Sequence, residues 1–155
     1  MQRTVVHLVA LLALTLSSSS CTNVRQTSAD QASKRMALAA KAFPGHQEYL
    51  YIDVPAADNG VSNLMMRAVI GEAAWMEQLT DAMASGANAP IYLVVGGRDN
   101  GVAYSAVKKA LNTFKGQQLP QLHLALIGDA GQAEQLRGAV EALGSEYCVL
   151  SLTPG

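Results

Sequence analysis

The chain is poor in the residues that usually carry chemistry. It has three histidines and two cysteines in 155 residues. No His-Glu-x-x-His zinc pair and no Gly-x-Ser-x-Gly nucleophile elbow occurs. Gly-x-Gly-x-x-Gly is missing, and the Gly96 to Gly101 stretch lacks the Lys-Ser/Thr that completes a phosphate-binding loop. The sequence therefore offers no catalytic residue, no metal site and no cofactor. Charge is scarce as well, with 11 Lys/Arg against 12 Asp/Glu. Lys108-Lys109 is the only basic cluster, which argues against nucleic acid as a partner. No apolar run is long enough to span a bilayer.

What is present is concentrated at the start. Arg3 precedes the apolar residues 5–16, then come Ser17 to Ser20 and Cys21. A basic start, a short apolar stretch and small residues mark a secretory signal peptide. A cysteine directly after them resembles the lipobox of bacterial lipoproteins. The family pattern prefers Leu three residues before the cysteine and Gly or Ala directly before it, where this chain has Ser18 and Ser20. The resemblance implies that the Cys21 thiol carries the acyl chains (palmitate among them) and becomes the mature N-terminus. An ordinary signal cut near Ser20 is the alternative. With Arg3 lost, ten basic residues face twelve acidic ones, a net charge of −2. Thr22, where an inner-membrane lipoprotein of this type carries Asp, implies the outer membrane, with the domain in the periplasm.

Three divisions follow: a signal peptide (residues 1–20), a lipidated N-terminus with a flexible tether (21–29), and one domain (30–155). A helix is expected over 30–42, with Ala32, Met36, Ala39 and Phe43 as its apolar stripe, stopped by Pro44-Gly45. Strands are expected at 48–54, 91–95, 121–127 and 147–152, and helices at 61–84, 102–114 and 132–143. The β-α-β-α-β-α-β order predicts a small three-layer α/β domain with a mainly parallel four-stranded sheet and helices on both faces. An internal repeat supports it: Leu50 to Val61 aligns without gaps on Ile91 to Val102, and both end in Asp-Asn-Gly-Val.

The strand-to-helix turns lie at the carboxyl edge of such a sheet, where open α/β folds bind ligands. Asp53, Asp58, Asn59, Arg98, Asp99, Asn100 and Asp129 are the candidate ligand-binding residues, with helix N-termini and Arg98 to receive an anion. The plainer explanation is that Asp and Asn cap helices and Gly permits tight turns. His123 alternates with Leu122 and Leu124, as a core or edge histidine would. Cys148 reads as a buried structural thiol. Residues 61–84 are more apolar than one helix on one sheet requires, so Met66, Ile70 and Trp75 are candidates for a partner surface.

The function expected is that of a lipid-anchored cell-envelope protein with a binding or assembly role, an accessory part of a secretion, conjugation or pilus system. Its partners would be the membrane, through the N-terminal lipid, and another envelope protein. A small periplasmic enzyme or anionic-ligand binder using the turns is the alternative.

Overall fold

The computed structural model describes residues 20–152, with side chains from residue 29 onward. The signal peptide and the Cys21 thiol lie outside the described residues. Four parallel strands form one sheet: β1 (Leu50–Val54), β2 (Ile91–Gly97), β3 (Leu122–Ile127) and β4 (Glu146–Leu150). Six α-helices accompany them among the described residues: α1 (Ser20–Ala39), α2 (Gly60–Val69), α3 (Ala74–Ser85), α4 (Asn100–Thr113), α5 (Ala130–Ala133) and α6 (Arg137–Glu141). The α/β class and the parallel sheet are as the sequence predicts.

The strands are ordered β1-β2-β3-β4, the same as in the sequence. Every crossover therefore moves the chain one strand sideways in the same direction. Helices α3 to α6, with Ile70 ahead of α3, share one core with Ile52 and Val54 of β1, Leu93 and Val95 of β2, and Leu122, Leu124 and Leu126 of β3. The opposite sheet face carries Tyr51, Val94, Ala125, Ile127, Cys148 and Leu150 and receives α1 and the turn after it through Leu38, Ala39, Ala42 and Phe43. Period-two alternation splits the strands cleanly between these two layers. The strand order never reverses, so the sheet has no switch-point crevice of the kind that holds ligands in doubly wound folds.

Several boundaries differ from expectation for physical reasons. The helix expected to begin at residue 30 begins at Ser20, so the backbone of the expected tether is helical. Its inward stripe contains Arg35 in place of Met36, which is exposed. The 61–84 segment breaks at a 3-10 turn (Ile70–Glu72), where the Lys109 stem lies on Gly71 within reach of any added Cβ. The last helix is likewise divided by a 3-10 turn (Glu134–Leu136). Gly96 and Gly97, expected in a turn, belong to β2.

Arg35 is an unusual tenant of the α1 interface. Its side chain is 4% exposed, yet its only ion pair among the described residues is with Asp53 at 3.6 Å. Its Nε has no hydrogen-bond partner among the described residues. Burying an incompletely paired guanidinium costs more than the pair returns. Arg35→Met is therefore expected to raise stability by about 1 kcal/mol, because Asp53 is half exposed and stays hydrated. Arg35→Ala, which leaves a void under α1, is expected to lower stability by about 1–2 kcal/mol. Thermal unfolding of both variants checks the pair of signs.

Candidate functional site

The carboxyl edge brings four of the seven predicted ligand-binding residues together. Asp58, Asn59, Arg98 and Asp99, with Gln31 and Asn63, line a hollow of about 410 Å³. Each of the four is engaged within the protein. Asn59 caps α2 by accepting from the Ser62 amide at 2.9 Å. Asp99 caps α4 by accepting from the Val102 amide at 2.8 Å. The Arg98 guanidinium binds Asp58 at 3.0 Å and donates to the Ala56 carbonyl. The repeated Asp-Asn-Gly-Val thus uses Asn in one copy and Asp in the other as the cap.

Asp99 is the hub of this edge. Beyond the cap, it accepts from Arg67 Nη2 at 2.9 Å and from Asn63 Nδ2 at 3.0 Å. Buried Asn63 in turn accepts from the Ala57 amide at 2.6 Å. Desolvation of the Asp99 carboxyl opposes ionisation, but the Val102 amide and Arg67 outweigh it and hold the pKa below the ordinary value. An incoming anion would meet Asp58 and Asp99, and Arg98 is already paired. The edge is built to brace turns against each other.

The other three predicted residues lie elsewhere. Asp53 sits beneath α1, where it accepts from the Tyr51 hydroxyl at 3.2 Å and faces Arg35. Burial raises the Tyr51 pKa, against the pull of Arg35. Asn100 is exposed at the start of α4. Asp129 caps the short α5 through the Gln132 amide at 2.8 Å.

The amino edge holds a cluster that sequence spacing did not reveal. Gly45 takes a positive φ of 87° and turns the chain after α1 so that His46 reaches Tyr92. The His46 and Tyr92 rings stack at 4.0 Å, and Tyr92 stacks on His123 at 4.4 Å. Phe43 meets Tyr92 edge-on at 5.2 Å. His46 Nε2 bonds the Tyr92 hydroxyl at 3.1 Å, and His123 Nδ1 bonds Glu146 at 2.7 Å. Neighbouring positions in register make this possible: Tyr92 pairs with His123 and His123 with Glu146. A shared place in adjacent strands was the available signal, but strand register is not written locally.

These rings border a hollow of about 390 Å³ that also reaches Cys148. The Cys148 thiol faces the Ala42 carbonyl at 3.8 Å, and burial raises its pKa. A protonated, half-buried thiol is a poor nucleophile. Among the described residues, no three His, Cys, Asp or Glu side chains are placed to hold a metal ion. The two imidazoles stack on Tyr92, and each is tied to its own hydrogen-bond partner.

The predicted partner residues point mostly inward. Ile70 is 4% exposed in the core, because the 3-10 turn rotates it toward α4 and the sheet; it is not a surface residue. Trp75 packs against the same core, and Met66 is half buried. Their neighbours form the surface instead. Val61, Leu64, Met65 and Val69 are 57–68% exposed. The inward side of α2 carries Asn63 and Arg67, both held by Asp99. This amphipathic helix is seated with its polar side in and its apolar side out, the reverse of an ordinary surface helix. No protein-family model, curated protein or solved structure matches this chain.

Proposed function

We propose that this chain is a lipid-anchored cell-envelope protein whose α/β domain works by binding and not by catalysis. The observation that carries the binding role is the outward apolar face of α2. Soluble surfaces keep exposed apolar side chains scattered, and a contiguous stripe on one helix marks a contact surface. The polar clusters at both sheet edges support the same reading, because their groups are spent on caps, stacks and ion pairs within the protein. The anchor is Cys21, on the strength of its lipobox-like setting. An outer-membrane position with the domain in the periplasm, and an accessory role in a secretion, conjugation or pilus assembly, complete the proposal.

Membrane fractionation tests the anchor. Wild type is expected in the membrane pellet after a high-salt wash, where surface electrostatics are screened. The unacylated Cys21→Ser protein is expected to pass largely into the soluble fraction. Wild type and Cys21→Ser held equally in the washed pellet would remove the anchor from the proposal.

A further inference from the structure

The apolar stripe of α2 adjoins a cationic hollow. Ala68, exposed between Met65 and Val69, also lines a cavity of about 280 Å³ with Arg67, Gly71, Ser105, Lys108 and Lys109. No carboxylate lines it. Arg67 is committed to Asp99, but Lys108 and Lys109 have no carboxylate within salt-bridge distance among the described residues. Lys109 lays its stem along Gly71, and Lys108 lies 5.7 Å from the centre of the Tyr104 ring. Ser105, whose hydroxyl donates to the Gly101 carbonyl at 2.7 Å, and Asn112 also line the cavity. Glu72 is exposed and follows Gly71 directly in the chain.

We infer that the α2 face is a second membrane contact, with Val61, Leu64, Met65 and Val69 entering the headgroup boundary of a bilayer and Lys108 and Lys109 receiving the phosphate of an anionic phospholipid. Two features favour lipid over a second copy of the chain. Four partly exposed side chains fall short of the ~800 Å² per partner that a stable protein interface buries. An apolar stripe beside unpaired lysines also matches the layered chemistry of a lipid surface, with acyl chains beneath an anionic headgroup layer. The inference rests on the envelope reading above, since a single acylated end already holds the domain at high effective concentration near lipid.

Vesicle binding tests it apart from the anchor. The probe is the mature chain, residues 21–155, carrying Cys21→Ser so that no acyl chain contributes. It is expected to bind vesicles containing about one third phosphatidylglycerol roughly tenfold more tightly than pure phosphatidylcholine vesicles. Leu64→Glu with Met65→Glu is expected to abolish binding to both while the circular dichroism spectrum is unchanged, since both side chains point outward. Lys108→Gln with Lys109→Gln is expected to remove the preference for phosphatidylglycerol alone. Glu72→Gln is expected to strengthen it. Failure to bind either vesicle, or binding indifferent to the Leu64 and Met65 changes, overturns the inference. So does a photo-cross-linker at position 65 that captures a protein and no lipid in envelope membranes. The anchor stands or falls separately: Cys21→Ser can release the protein from washed membranes whichever way the vesicles behave.

Discussion

Asp99→Ala is expected to cost about 3 kcal/mol of folding stability, from the lost helix cap and the stranded partners together. The Val102 amide loses its cap. Buried Asn63 loses the acceptor for its amide, and the Arg67 guanidinium loses its carboxylate on a half-buried site. Removing one member of such a network leaves the others desolvated and unpaired, which costs more than the missing contact itself. A midpoint drop of roughly 10 °C is the corresponding thermal effect for a domain of this size. Asp99→Asn keeps a capping oxygen but not the charge, and is expected to lose about half as much. Urea titration of wild type, Asp99→Ala and Asp99→Asn gives all three values. Asp58→Ala is the contrast, since its carboxylate is 90% exposed and its pairing with Arg98 contributes little.

The same residue sets a pH dependence. The folded pKa of Asp99 lies below its ordinary value. Its contribution is therefore fully present above the unfolded value of ~3.9 and is lost as pH falls through the folded value. Asp99→Asn should accordingly flatten the acid limb of the stability curve below about pH 4. An acid limb identical in wild type and Asp99→Asn would show that the network around Asp99 is not formed in solution.

Gly97→Val is expected to destabilise the domain by about 2–3 kcal/mol, although valine is the better strand former. A Cβ at position 97 would stand 2.6 Å from the Val54 carbonyl oxygen and 3.2 Å from the Val54 Cβ. Val54 and Gly97 are register partners at the carboxyl end of the β1–β2 pairing. The obstacle is backbone, which cannot swing aside as a side chain does, so the two strands must part. Gly97→Ala should show most of the loss, because the clash begins at the first carbon. Chemical denaturation of both variants distinguishes this from a propensity effect, which would carry the opposite sign for valine.

Much of the fold was legible. Ile91 to Val95 is a continuous apolar run, as a strand covered on both faces requires. The Asp-Asn-Gly turns announced helix starts, and Asn59 and Asp99 do cap α2 and α4. Glycine is locally a turn signal, so the sequence places Gly97 in a turn, and only the neighbouring strand shows why no side chain fits there. Spacing sets Met36 inward, while the face that buries Ala39 and Ala42 seats Arg35 against Asp53. The candidate surfaces were harder to see. Ile70 and Trp75 are apolar at helical spacing, which identifies an amphipathic segment but not the direction in which it faces.

By itself, the sequence determined the α/β class, the strand count, the helix caps and the lipobox-like setting of Cys21. These depend on neighbours a few residues apart, through side-chain period, turn chemistry and capping. Tertiary structure alone decided the β1-β2-β3-β4 order, the meeting of His46 and His123 on Tyr92, and the reversal of α2. Each of those depends on which distant segments share a register or a buried partner. The polar side of α2 turns inward because Asp99, 32 residues after Arg67 in the chain, holds Arg67 and Asn63 there. Its apolar side is left facing out.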